Sequence, residues 1–117
     1  MLITHFEDID EKEVFPGVFA RNYSANLIGS ESVSMLDIYL EPRAEIPLHI
    51  HSSHEEIIIV LSGFLIIYSG EYNKESISEG NLIVISESQI HKVVNTGDTR
   101  AHLLGIFPTK DPQRIMI

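Results

Sequence analysis

Three histidines and two glutamates fall in one short stretch, Pro47-Leu48-His49-Ile50-His51-Ser52-Ser53-His54-Glu55-Glu56. Such side chains can hold a metal ion or move protons, and their spacing bears on which. His49 and His51 are separated by a single residue. In a β-strand successive side chains alternate faces, so these two imidazoles project from the same side. Ser52-Ser53 reads as a polar turn. After it runs Ile57-Ile58-Ile59-Val60-Leu61, a series of apolar β-formers closed by Ser62-Gly63. The stretch reads as a hairpin-like pair of strands, with His49 and His51 near the end of the first and a glutamate at the start of the second. Two imidazoles and a carboxylate on one surface suit a divalent ion of the zinc, iron, manganese, nickel or copper group.

The elements around this stretch are short and β-like. Acidic residues 7–13 read as a turn or a solvated lead-in, and Pro16-Gly17 as a turn. Strands are expected at Val18–Tyr23, Val33–Leu40, Ile46–His51, Ile57–Leu61, Phe64–Tyr68, Glu75–Ile77, Leu82–Ile85, His91–Val94 and Ala101–Phe107. Ser62-Gly63 reads as the turn of a hairpin between two of them, and Gly70 and Asn73 bracket a further turn. Pro108 and Pro112 should prevent regular continuation. No segment keeps a period of 3.6 over three turns. Many short strands at close spacing mean an all-β sandwich or barrel.

With these residues in view, the chain resembles the cupin superfamily. The first cupin motif reads glycine, five residues, His-x-His, three or four residues, Glu, six residues, Gly. His49, His51, Glu56 and Gly63 match it. Of the two adjacent glutamates, Glu56 stands at the right distance from Gly63 and Glu55 does not. Arg43 occupies the place of the opening glycine. The second motif reads glycine, five residues, Pro-x-Gly, two residues, His, three residues, Asn. Gly80, His91 and Asn95 match it, with Ser86 and Ser88 in place of its proline and glycine. These departures fall on turn positions rather than on ligands, so they bear on loop shape. The resemblance implies a jelly-roll β-barrel (a double-stranded β-helix) forming a single domain over residues 1–117, with a metal-binding core at about 33–107. It also implies one divalent transition metal per chain, iron, manganese, zinc or nickel, held by His49, His51, Glu56 and His91.

Taken singly, each of these four has an ordinary alternative. His49 and His51 could form an exposed polar strand face, Glu56 could cap a turn, and His91 could be a hydrogen-bonded residue near a strand end. All four standing at the spacing of both motifs favours the metal. The remaining histidines weigh the other way. His54 is expected to be solvated in its turn, His102 to pack or to support a ligand from the last strand, and His5 to be terminal. Glu55 is expected to be solvated. Arg21, Tyr23, Met35 and Tyr39 lie on early strands that could line a pocket, though core or surface placement is the expectation.

Three neutral imidazoles and one carboxylate around a divalent ion leave a local charge of about +1. Four protein ligands on a six-coordinate ion leave two positions for substrate oxygens, water or dioxygen. Small anionic or chelating substrates are therefore expected: an enediol, a β-diketone, a 2-oxo acid or a catechol-like diol, in an open site within an apolar pocket. The leading expectation is a metal-dependent, dioxygenase-like enzyme. The alternatives are a non-catalytic small-molecule-binding or sensing module, and a metal-dependent isomerase or lyase.

Composition narrows the partners. The formal net charge is −9 and 44% of the residues are hydrophobic. Such a chain can fold, and it lacks the basic face that nucleic acid or an anionic membrane surface demands. There is no cysteine, so disulfides and thiolate chemistry are excluded. The N-terminal residues lack a basic stretch followed by an apolar one, and no apolar run is long enough to span a bilayer. A cytoplasmic protein is the expectation. Finally, Ile57–Leu61, Phe64–Ile67 and Leu82–Ile85 are apolar at consecutive positions. Strands with one face in water should alternate instead. Both faces must be covered, and apart from the N-terminal segment little chain is left to do it, so a homodimer burying the outer face of one sheet is expected.

Overall fold

In the computed structural model, residues 1–70 and 72–117 are described. The chain folds into two antiparallel sheets. Among the described residues eleven strands run in order: β1 (Glu11–Phe15), β2 (Val18–Tyr23), β3 (Ser34–Leu40), β4 (Glu45–Ile50), β5 (Glu56–Ser62), β6 (Phe64–Tyr68), β7 (Lys74–Ser78), β8 (Leu82–Ile85), β9 (His91–Asn95), β10 (Ala101–Phe107) and β11 (Ile115–Met116). A six-stranded sheet has the order β1-β2-β3-β10-β5-β8, and a five-stranded sheet the order β11-β4-β9-β6-β7. The two inner faces meet in a core that includes Val18, Ile38, Leu40, Val60, Leu65, Val93 and Leu103. Each such aliphatic side chain contributes about 1.5–3 kcal/mol when fully buried. This is the all-β architecture that the spacing of short strands predicts, in the jelly-roll form that the cupin resemblance implies.

Every strand expected between Val18 and Phe107 is present, four of them with the expected bounds: β2, β6, β8 and β10. The turn expected between Gly70 and Asn73 includes Glu71, which lies outside the described residues. Three elements were not anticipated. The acidic lead-in forms β1, which pairs with β2 from Glu11↔Arg21 to Phe15↔Val18. A single helical turn, α1 (Ala25–Ile28), starts at Ser24, whose hydroxyl accepts from the Leu27 amide, and stops at Gly29 in the left-handed region. Beyond the two prolines the chain returns as β11 and pairs with β4.

Both hairpins expected around the histidine stretch are corrected. β4 and β5 lie in opposite sheets, as do β5 and β6. The links at residues 51–55 and at Ser62-Gly63 are crossings between sheets rather than hairpin turns. Gly63 makes the second crossing possible. Its φ is +102°, and a Cβ there would lie 2.7 Å from the Ala101 Cβ. Only glycine has both the conformational freedom and the absence of bulk. The consequence for the site is direct: histidines and glutamate approach one another across the core, from facing sheets.

Candidate metal centre

His49 on β4 and His91 on β9 are directly opposed cross-strand partners. Side chains so paired share a face, and here it is the inner one. His51 stands just beyond β4. Glu56 opens β5 on the opposing sheet, paired with Ile85. All four side chains are buried, and one ligand atom from each can be chosen so that all lie within 4.8 Å of one another. The structure thus brings together all four residues singled out from the sequence. The expected pairing of His54 and Glu55 with solvent holds for Glu55, which is exposed, but not for His54, which is 8% exposed.

Backbone carbonyls set the imidazole tautomers. The Nδ1 atoms of His49, His51 and His91 lie 2.7, 2.7 and 2.9 Å from the carbonyls of Pro47, Gln113 and Gln89. A carbonyl only accepts, so each Nδ1 carries a proton and each Nε2 is turned inward, where the neutral ring offers its lone pair. The Nε2 atoms of His51 and His91 are buried without a hydrogen-bond partner. The Glu56 Oε1 lies 3.3 and 3.4 Å from them, close in charge but not aligned as a hydrogen bond. A buried carboxylate among inward-turned imidazole nitrogens calls for a positive charge there, a proton on His51 or a bound cation. Buried polar atoms are otherwise nearly always satisfied. The donor set, three nitrogens and one oxygen with each imidazole oriented by an outer hydrogen bond, fits a divalent transition ion.

Burial is the largest influence on His49 and holds its pKa down at about 4, against the Pro47 hydrogen bond. For His51 burial also lowers the pKa, but the Glu56 carboxylate and the Gln113 carbonyl together outweigh it, and the net shift is upward. For Glu56 burial raises the pKa, and the two neighbouring histidines reverse this to a net lowering. The carboxylate therefore stays ionised and available.

Further residues surround the cluster, and the sequence did not signal Gly105 and Gln113 among them. Gly105 faces inward on β10, and a Cβ there would lie 2.7 Å from the Glu56 Oε2. A glycine inside a strand pattern is a known sign of close approach, and it was the available clue. Gln113 accepts from His51 through its carbonyl and donates its amide to the His54 Nε2 at 3.0 Å. His54 in turn donates from Nδ1 to the Glu55 carbonyl at 3.0 Å and stacks against His51 at 5.2 Å. It ties the C-terminal segment to the site instead of facing water. Ser88 donates its amide to the His51 carbonyl at 2.8 Å. Asn95 is fully buried, and its side chain bridges the Leu40 and Thr99 carbonyls and the Gly97 amide. It locks the turn and does not reach the cluster.

His102 is not part of the centre. It lies on the outer face of the six-stranded sheet, its Nε2 bonded to Asp37 and its ring stacked 4.0 Å from Tyr39. Tyr23 donates to the same Asp37 at 2.7 Å, and burial with that carboxylate pushes its pKa up. Of the four early-strand residues, Met35 reaches the cavity described next.

A cavity of ≈ 780 Å³ opens beside the cluster and includes His51 in its lining. Its walls combine apolar groups, among them Ile9, Leu36 and Phe107, with polar ones such as Asn22, Ser34, Gln113 and Arg114. The expected apolar pocket is therefore corrected to a mixed one. The polar part comes from the N-terminal lead-in through Lys12 of β1, from Asn22 of β2 and Ser34 of β3, and from the C-terminal segment. A pocket of this size with a few convergent polar groups beside perturbed titratable residues is the usual setting of a small-molecule site.

Residues 29–107 match the family model described as a cupin domain. With the two sheets and the His₃Glu cluster, this places the chain in the cupin family. The chain is 27% identical over 103 residues to germin-like protein 1 of Brassica napus, covering 85% of this chain and 48% of that protein. It thus spans about half the length of that curated relative. An oxalate decarboxylase from Lactobacillus farciminis, solved as a formate complex, superposes with a TM-score of 0.88 at 19% identity, over 97% of this chain and 35% of that one. An oxalate oxidase in complex with the substrate analogue glycolate superposes with a TM-score of 0.84 at 21% identity, over 98% and 63% of the two chains. At such identity these likenesses establish the fold alone. No helix among the described residues is long and apolar enough to cross a membrane.

Proposed function

We propose that His49, His51, Glu56 and His91 hold one divalent transition ion, iron or manganese in the working protein. We further propose that the chain is a dioxygenase-like enzyme acting on a small anionic or chelating oxygenated substrate. The observation that carries this reading is the pair of buried, partnerless Nε2 atoms beside an ionised carboxylate, all next to a cavity. The ion would supply a Lewis acid that polarises substrate oxygens, and redox capacity if iron or manganese occupies the site. The chain's own residues supply the rest. The Nδ1 bonds to Pro47, Gln113 and Gln89 fix the ring orientations, Glu56 reduces the positive charge, and Phe107 shields the His51 and His54 rings at 5.2 and 5.5 Å. Structural neighbours solved with glycolate and with formate support a small carboxylate as ligand class. A homodimer in the cytoplasm belongs to the same reading, resting on the apolar outer strands and the cysteine-free composition.

The test is metal content after expression without an affinity tag, followed by an oxygen-uptake screen over 2-oxo acids, diols and enediols. His51→Ala should lose most bound metal. His54→Ala should keep it, since the His54 ring nitrogens are engaged by Glu55 and Gln113. Equal loss in the two variants would overturn the ligand assignment. Turnover should disappear in Glu56→Gln and on chelation. Metal-dependent binding without turnover by iron, manganese, nickel or zinc forms would make the non-catalytic binding module the better reading. Turnover without oxygen consumption would favour the isomerase or lyase.

A further inference from the structure

A second, smaller cavity of ≈ 330 Å³ lies between the N-terminal segment, β2, β3 and the end of α1. Leu2, Phe6, Ile9, Ile28 and Met35 form its apolar walls. Thr4, His5 and Tyr23 add polar groups, and among the described residues no charged side chain of Asp, Glu, Lys or Arg lines it. The walls are pinned. Backbone bonds from Asp8 to His5 and from Ile9 to Phe6, at 3.0 and 3.1 Å, close the turn that carries Phe6. Arg21 donates to the Ile9 carbonyl at 3.1 Å and lies 5.1 Å from the Phe6 ring centroid. Yet Leu2 and Phe6 are 72% and 48% exposed, and a molecule in the cavity would bury part of that apolar area.

The polar groups suit a neutral partner. Tyr23 donates to Asp37 at 2.7 Å, and the other oxygen of Asp37 is bonded to His102. Burial, with that carboxylate, pushes the Tyr23 pKa up, so the phenol stays neutral. Its proton is committed, and its oxygen is left to accept. The His5 Nδ1 accepts from the Glu7 amide at 3.2 Å. The neutral His5 ring therefore carries its proton on Nε2, as a donor. One acceptor and one donor match a hydroxyl, which does both. A charged molecule would lose its hydration here with no opposite charge in the lining to replace it. Apolar cavities take up neutral rings such as benzene, and Phe and Met walls favour an aromatic one. The volume stands near the lower end of small-molecule sites, about 300–1,000 Å³, which suits a single ring. Ile9 and Met35 line both cavities, and Asp8 and Asp10, on either side of Ile9, line the larger one. The N-terminal segment is thus a partition between the two.

We propose that the smaller cavity is a second binding site, for a neutral molecule of one aromatic ring bearing a hydroxyl, and that its occupant is sensed in the larger cavity through the partition of Ile9 and Met35. The site stands apart from the metal reading, since none of its walls is one of the four cluster residues. Phenol is the simplest member of the class.

The test is a nuclear magnetic resonance titration of the full chain with phenol. It follows the methyl groups of Ile28, Ile9 and Met35, and the amides of Asp10 and Asn22, which line only the larger cavity. One saturable isotherm should describe them all. Toluene, which lacks the hydroxyl, and benzoate, which is charged, should each bind about tenfold or more weakly than phenol. Ile28→Trp should fill the cavity and abolish binding. Phe6→Ala removes a half-exposed ring that the fold does not need, and it should weaken phenol about tenfold; it decides the matter where Ile28→Trp does not fold. No saturable response in the wild type would overturn the proposal, as would unaltered binding in Phe6→Ala or benzoate binding as tightly as phenol. Shifts at Leu36 and Phe107 without any at Ile28 would place phenol in the larger cavity and overturn it too. Ile28 shifts that follow protein concentration rather than phenol would assign the space to a second copy, with the same consequence. Saturation at Ile28 with silent Asp10 and Asn22 amides would overturn the link between the cavities.

Discussion

His49 and His51 stand two residues apart, yet they meet protons differently. His49, held at about 4 by burial, is neutral across the physiological range and gives up no proton on binding metal. His51 has a raised pKa because the Glu56 carboxylate and the Gln113 carbonyl outweigh its desolvation. Without metal it keeps its proton to higher pH than a free imidazole, and that proton has to leave before Nε2 can bind an ion. Metal affinity should therefore rise through and beyond about pH 6.5, by about tenfold per pH unit while His51 stays protonated. Competition titrations at fixed ionic strength would show it, and a flat profile from about pH 6 to 8 would remove His51 from the shell. A second residue-scale prediction concerns Gly105. An alanine Cβ there would press on the Glu56 Oε2 from 2.7 Å. A carboxylate at the end of a flexible side chain gives way more easily than a backbone does. Gly105→Ala should then weaken metal binding by about tenfold, as changes in outer-shell support do, while the far-ultraviolet circular dichroism stays unchanged. Equal affinity in variant and wild type would show that Glu56 is not a ligand or has room to spare.

At the scale of elements, the two positions where this chain departs from the cupin glycines carry an unexpected trace of them. Arg43 and Ser88 both adopt positive φ, 72° and 62°. The turns keep the glycine conformation without the glycine. Arg43 gains in return, since its guanidinium donates to the Thr96 and Gly97 carbonyls at 3.1 and 2.9 Å. The Ser88 hydroxyl has only a long contact of 3.4 Å to the Ser52 carbonyl. Left-handed backbone costs a non-glycine residue about 1–2 kcal/mol, while glycine's unfolded-state entropy returns about 0.4–1. Ser88→Gly should therefore stabilise the protein by about 0.5–1 kcal/mol in thermal or denaturant unfolding, and a less stable variant would show that the hydroxyl contact outweighs the strain. The strands that were legible, such as β6 and β10, are runs of β-formers bounded by Gly, Ser, Asn or Pro. β1 was not, because Glu11-Lys12-Glu13 shows no apolar alternation. Its place on the sheet edge depends on pairing with β2 and on ion pairs from Glu11 to Arg21 and Arg100. Ser62-Gly63 was legible as a turn but not as a crossing between sheets, since local turn chemistry does not say which sheet receives the next strand. The four cluster residues were legible because two motif spacings coincide. Gly105, Gln113 and Arg114 were not, because they reach the site only through the register of β10 and the return of the C-terminal segment.

For the whole molecule, the outer face of the six-stranded sheet carries two apolar rows. Register aligns Met35, Ile106, Ile57 and Val84 in one, and Leu104, Ile59 and Leu82 in the other, beside Asp37. Leu82 and Val84 are 69% and 62% exposed, on β8 at the edge of the sheet. The N-terminal residues pack elsewhere: Leu2 lies against Gly29, and Arg21 sits over the Phe6 ring and bonds to the Ile9 carbonyl. They do not cover the β5–β8 side. An apolar face with an open edge marks an association surface, and a second copy is the occupant expected from the sequence. With a net charge of −9 on each chain, the copies repel, so added salt should tighten the dimer where a charge-driven contact would loosen. Light scattering at micromolar concentration should give a dimer that Val84→Lys converts to monomer. A wild-type monomer would refute it.

The segment ending at Ile117 walls the cavity, orients His51 through the Gln113 carbonyl, and is pinned to β4 through the Ile117 amide on the Leu48 carbonyl. One motion would therefore open a path to the ion and slacken one of its ligands at the same moment. Under the metal assignment proposed above, the residence time of the ion should be set by opening of residues 113–117. The rate at which a bound ion exchanges should follow the rate at which the amides of Gln113 and Ile117 exchange with deuterium.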